Sequence, residues 1–212
     1  MVKEIGLFMM IPTNLFVSQF ETIMKGEKNM KVLRKQEMET SNILVGDQIV
    51  IQLTGFGEFT ATAQKITGKG TLFLFDDCVT ERSMNEKYTN KCGYEKSDLC
   101  KWINTVLLDA FPEDMRNRIS DLSIPTYGQM FGHDDWYDRV MEPDNDEQLP
   151  LMSKRKNRIA DFNDDYEWYW LKNATKKEVS SSHFALVTGN GGAYYRHASS
   201  SYGVRPAFWL VK

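Results

Sequence analysis

His183-Phe-Ala-Leu-Val187 and Tyr202-Gly-Val-Arg-Pro-Ala-Phe-Trp-Leu-Val211 carry apolar alternation and read as β-strands. Between them, Thr188 to Tyr202 is fifteen residues long, and thirteen of these are Gly, Ser, Thr, Asn, Tyr, His or Arg. The other two are Ala193 and Ala198, and the segment has no Lys, Asp, Glu, Leu, Ile or Val. This is the palette of an antibody paratope: tyrosine offers large contact area with two torsions to fix, and Ser, Asn and Gly offer adaptable hydrogen bonding. A long glycine-rich hairpin with no ligand is the bland alternative. Trp168-Tyr-Trp-Leu171 just upstream reads as a short aromatic strand.

Working outward, Gln48-Ile-Val-Ile-Gln-Leu53 alternates and is rich in β-branched residues. Turn glycines follow at Gly55 and Gly57, Glu58 to Ile66 alternates again, and Gly68-Lys-Gly70 precedes a third strand from Thr71 to Phe75. Three strands with short glycine turns predict an antiparallel meander. Ser97 is placed to cap a helix, with Leu99, Trp102, Ile103, Val106, Leu107 and Ala110 recurring along one face. Pro112 then predicts the start of a second helix over Glu113 to Leu122. Pro125 to Leu149 reads as an acidic loop, and its run Glu142 to Glu147 is expected to neutralise the basic run Lys154 to Arg158 on a solvated face.

Composition narrows the function. The 212 residues are 42% apolar and 26% charged, the usage of one ordinary globular domain. Twenty-six basic against 29 acidic residues give a net charge of −3, which argues against a nucleic-acid binder. The longest apolar stretch, Ile5 to Val17, is broken by Pro12, Thr13 and Asn14 and is too short to span a bilayer, so no membrane insertion is expected. Cys78, Cys92 and Cys100 cannot all pair and none forms a CxxC, which favours reduced thiols in a cytoplasmic setting. Residues 1–29 lack periodicity and a cleavage site of the signal-peptide kind. Lys25-Gly-Glu27 can be encoded as a purine-rich ribosome-binding sequence, so translation is expected to begin at Met30, with a partner-docking arm as the alternative.

The chain then meets a resemblance. Trp168-Tyr-Trp-Leu-Lys-Asn-Ala174, Phe184-Ala-x-Val187 and Ala198-Ser-x-Ser-Tyr-Gly-Val-Arg-Pro-Ala-Phe-Trp209 resemble an uncharacterised domain family of gut bacteria and their prophages. Gly93-Tyr-Glu-Lys-Ser-Asp-Leu99, Trp102-Ile-Asn104 and Leu122-Ser-Ile-Pro125 match as well, so the likeness covers residues 30–212. It implies an α+β, C-type-lectin-like fold in the variant used by formylglycine-generating enzymes and by variable proteins of diversity-generating retroelements, with antiparallel strands and two or three helices mid-chain. It also implies that Thr188, Asn190, Ala193, Tyr194, Tyr195, Arg196, His197, Ser200 and Tyr202 contact the ligand. By the same resemblance Gly203-Val-Arg-Pro206 and Phe208-Trp209 are scaffold, with Arg205 in a buried ion pair.

Catalytic signals are weak. His133-Asp-Asp135 is three adjacent loop residues that do not readily converge on one metal ion. Ser180 to Ser182 beside His183 lack an identifiable carboxylate to orient the histidine. Gly189-Asn-Gly-Gly192 lacks the spacing of a phosphate-binding loop. The last cysteine, Cys100, lies too early for formylglycine chemistry. The expectation is a non-enzymatic binding protein without metal or cofactor, taking an unidentified protein or glycan ligand and incorporated into a phage particle or a homo-oligomer. The alternative is a structural or assembly protein of a prophage particle with an inert segment.

Overall fold

The computed structural model describes residues 43–211. The expectations for residues 1–29 and for translation from Met30 lie outside the described residues. The predicted meander forms from β1 (Gln48–Leu53), β2 (Gly57–Thr67) and β3 (Gly70–Phe75), paired antiparallel in sequence. β3 is buried at all six positions. Phe73 and Phe75 face one apolar cluster while Leu72 and Leu74 face another. That double burial explains why Thr71 to Phe75 is continuously apolar rather than alternating.

Twelve strands build two five-stranded sheets and a ribbon. The first sheet runs β1-β2-β3-β12-β5, where β5 is Ile119–Ser123 and β12 is Ala207–Val211. The second runs β10-β9-β8-β11-β4, comprising β4 (Thr80–Ser83), β8 (Tyr169–Ala174), β9 (His183–Val187), β10 (Ala193–His197) and β11 (Ser201–Val204). The ribbon is β6 (Ala160–Phe162) with β7 (Asp165–Glu167). All pairings are antiparallel except β8 with β11, which meet in parallel at Tyr169 and Gly203. The fold is therefore mixed α+β, mostly antiparallel, with few and short helices. Between the sheets Phe208 lies 5.5–6.0 Å, ring to ring, from Phe73, Phe75 and Phe111. Each such ring contributes roughly 1.5–3 kcal/mol by leaving water.

Helix α1 begins at Asp98 as predicted, with the Ser97 hydroxyl accepting from the Cys100 N–H at 3.0 Å. It passes from a regular segment (Asp98–Trp102) into a π-turn (Ile103–Leu107) and one last turn (Leu108–Ala110). Leu99, Ile103, Leu107 and Ala110 are buried, but Val106 is 49% exposed. The wider π-turn puts Leu107, not Val106, beneath Ile103.

The second predicted helix is mostly absent. Helix α2 covers only Glu113–Arg116, and Ile119 onward forms β5. Backbone pairing of Ile119, Ser120 and Ser123 with β12 overrides the local helical preference. Residues 125–149 are not simply loop either. Helix α3 (Tyr127–Phe131) starts at a capping box in which Thr126 and Gln129 exchange hydrogen bonds, each 3.1 Å. Helix α4 (Asp135–Val140) is capped by Asp134. Tyr127 stacks on Tyr137 and on Trp136, which holds the two helices together.

Candidate functional site

Thr188 and Asn190 do not project freely. The Thr188 hydroxyl donates to the Asn190 side-chain carbonyl at 2.7 Å, and the Gly192 N–H donates to both side chains, closing the β9–β10 turn. Gly191 has φ +75°, and an added Cβ would lie 2.6 Å from the Arg155 carbonyl oxygen, so the turn needs glycine there. Two guanidinium groups hold this turn from outside. Arg155 Nε donates to the Asn190 carbonyl at 2.7 Å and Arg158 Nε to the Gly191 carbonyl at 3.0 Å. The basic run is thus spent on backbone carbonyls rather than on the acidic run. Asp144 instead accepts from the Gly128 N–H and the Asn173 amide, and Asp146 from the Thr126 hydroxyl. Burial raises the Asp144 pKa, but these bonds and those from the Asp146 N–H and His133 outweigh it, so its carboxyl titrates below the usual range.

Beyond the turn, β10 is an edge strand, and alternation sends its side chains to opposite faces. Tyr194 and Arg196 lie on the face shared by Leu186, Trp170, Trp168 and Tyr202. The Arg196 guanidinium carbon sits 4.5 Å from the Tyr194 ring centre and 5.3 Å from that of Trp168, and Trp168 and Tyr202 lie nearly parallel 6.1 Å apart. Tyr194 is exposed, and Arg196, Trp168 and Tyr202 are half-buried.

Ala193, Tyr195 and His197 lie on the other face. Tyr195 stacks on Trp136, and His197 lies 4.1 Å from His183, its partner across the strands, and 4.4 Å from Tyr88, ring to ring. The Tyr88 hydroxyl meets His197 Nε2 at 3.3 Å. His197 Nδ1 is buried without a hydrogen-bond partner among the described residues. Ser180 and Ser182 hydroxyls both bond His183 Nδ1, so the Ser/His contact exists. None of the ion pairs among the described residues gives His183 a carboxylate. Burial, then the neighbouring His197 and Arg196, lower the His183 pKa. Ser200 lies in the turn into β11, its N–H donating to the His197 carbonyl at 2.9 Å.

The nine predicted contact residues therefore divide. Tyr194, Arg196 and Tyr202 converge with Trp168, which the sequence reading places in a short aromatic strand and not among the contact residues. Tyr195 and His197 converge with Trp136, His183 and Tyr88 on the reverse face, and Thr188 and Asn190 hold the turn. The Tyr194 and Tyr195 rings lie 5.4 Å apart and nearly parallel, so the two faces meet at the strand edge.

Arg205 corrects an expectation. It is buried, but its partners are the Phe75 carbonyl at 2.7 Å, the Asn157 carbonyl at 3.3 Å and the Tyr169 hydroxyl at 2.9 Å, with no carboxylate ion pair. The end of β3 and the turn at 155–158 expose carbonyls there that a multi-donor fork can satisfy together. His133, Asp134 and Asp135 also go separate ways: His133 Nε2 lies 3.2 Å from Asp144, and Asp134 caps α4. Among the described residues no three His, Cys, Asp or Glu side chains are grouped to hold a metal ion. No helix of the described residues is long and apolar enough to cross a membrane. A groove of about 990 Å³, lined by Tyr88, Asn90, Lys91, Lys172, Lys177 and Ser181 among others, opens beside the histidine pair. No motif announced it, because at least four separate stretches of chain, near residues 90, 126, 143 and 175, assemble it.

The family described as "Domain of unknown function (DUF6273)" matches residues 69–212. The chain belongs to this family. The DUF6273 match takes in the whole second sheet, the ribbon and helices α1 to α4, and leaves β1 and β2 outside. No curated protein and no solved structure matches the chain.

Proposed function

We propose that this protein is a non-enzymatic binding module of C-type-lectin-like architecture that presents the β10 edge and its flanks to another molecule, as the variable proteins of diversity-generating retroelements do. The observation that carries the reading is the exposure of Tyr194 and the partial exposure of Tyr195 and Arg196 on a strand whose neighbour, Phe184 to Val187, is fully buried, with Tyr202 partly exposed on β11. Rigid neighbours hold the contact side chains in place, and substitution of outward residues leaves the core alone. Aromatic side chains and arginine are the types that concentrate binding energy. In this reading the protein is made in the cytoplasm and reaches its ligand on a phage particle.

The test is an array of glycans and surface proteins probed with the native chain and with a Tyr194→Ala/Arg196→Ala variant. Capture by the native chain that falls roughly tenfold or more in the variant is the expected result. Equal capture by both removes the recognition role and leaves a structural particle protein. Diversification has its own check: a near-repeat of the codons for residues 188–202 beside a reverse transcriptase gene.

A further inference from the structure

One face of the second sheet carries a stripe in which arginines and aromatic rings alternate. The strand pairings set Tyr202 opposite Arg82 and carry Trp168 beside Tyr202. Arg82 lies with its guanidinium carbon 4.6 Å from the Trp102 ring centre. From α1 across β4 and β11, past the residue that precedes β8, to β10, the order is Trp102, Arg82, Tyr202, Trp168, Arg196 and Tyr194.

These two arginines differ from the rest. Among the described residues, Arg116 contacts Asp109, and Arg118, Arg139, Arg155, Arg158 and Arg205 each donate to a backbone carbonyl. Arg82 and Arg196 have neither kind of partner among the described residues: each guanidinium lies over a ring, and the hydroxyls of Tyr194 and Tyr202 face that of Arg196. A planar fork of this kind matches a carboxylate in two parallel hydrogen bonds.

Resting on the binding role proposed above, the geometry points to a carboxylate-bearing glycan, of the uronic-acid type, as the ligand of this stripe. A pyranose ring offers an apolar C–H face to Trp168 and Tyr202 while its carboxylate reaches an arginine fork. The stripe crosses the strands instead of following an edge. An extended acidic peptide lying on it finds no row of free backbone groups, and its own amides face aromatic rings unpaired. A nucleic acid needs a basic surface that a chain of net charge −3, with two arginines on this stripe, does not supply.

The experiment is calorimetric titration of the full chain with oligogalacturonate, its uncharged methyl ester, and polyglutamate of equal charge. The native chain binds the acid, binds the ester and polyglutamate at least roughly tenfold more weakly, and loses affinity for the acid as salt rises. Arg82→Gln/Arg196→Gln, checked for an unchanged urea midpoint, loses roughly tenfold or more, whereas Arg116→Gln in α2, outside the stripe, binds as the native chain does. Equal binding of acid and ester, tighter binding of polyglutamate, or no binding of the acid each overturns the assignment. The array separates these failures from failure of the wider reading. Capture of some other ligand that still depends on Tyr194 and Arg196 preserves that reading, and capture indifferent to them ends it.

Discussion

At residue scale Arg205 shows what chain order reveals and what it hides. Its position in an apolar strand end implies burial, but not its partners, because Phe75 and Asn157 are far away in sequence and contribute backbone rather than charge. Replacing it with methionine takes the guanidinium donor from the Phe75 and Asn157 carbonyls, while the Tyr169 hydroxyl keeps its bond to the Arg158 carbonyl. Arg205→Met is expected to lose about 3 kcal/mol, read as a lower urea midpoint at unchanged slope. His183 gives a pH prediction with a definite sign. Its folded pKa lies below the ordinary 6.5, so the unfolded chain takes up the proton first. The stability its neutral ring supports is complete above about pH 6.5 and declines as pH falls from there toward the folded value. Around it stand His197, Arg196, Tyr88, Tyr195, Ser180 and Ser182, which hold no carboxylate to offset a second positive charge. Urea midpoints between pH 7.5 and 5 are expected to fall in the native chain, with a shallower fall in His183→Gln.

At the scale of elements, local chemistry predicted what local chemistry controls. The meander follows from alternation and glycine turns, and the start of α1 from the Ser97 cap. Glu113 to Leu122 misleads because its helical composition is overruled by a strand nearly ninety residues later, which only the fold brings near. Thr126-Tyr-Gly-Gln129 is different: the capping-box spacing is visible in the sequence, masked by the acidic, loop-like residues around it. The predicted display segment was legible as a polar interruption between strands, but its division into a pinned turn and a two-faced edge strand depends on Arg155 and Arg158. Removing both side chains in an Arg155→Ala/Arg158→Ala variant is expected to speed hydrogen exchange of the β9–β10 amides roughly tenfold or more while β3 and β12 stay protected.

At the scale of the molecule, β12 closes the fold. It lies between β3 and β5, pairing with strands more than eighty residues upstream, and it brings Phe208 into the aromatic centre of the first cluster. Deleting residues 207–212 is expected to abolish cooperative unfolding, seen as loss of the near-ultraviolet dichroism of the packed aromatics. The stripe of ring-stacked arginines belongs to this scale as well: no segment contains it, and only the order of five strands assembles it.

If the framework holds its outward side chains without depending on them, then stability and recognition are separable at β10. The urea unfolding free energy of a Tyr194→Ser/Arg196→Ser variant tests this. A loss of about 1 kcal/mol or less relative to the native chain is predicted, the size of exposed cation–π contacts. A loss above about 3 kcal/mol, comparable to removing a buried ring such as Phe208, contradicts it by making these residues part of the core.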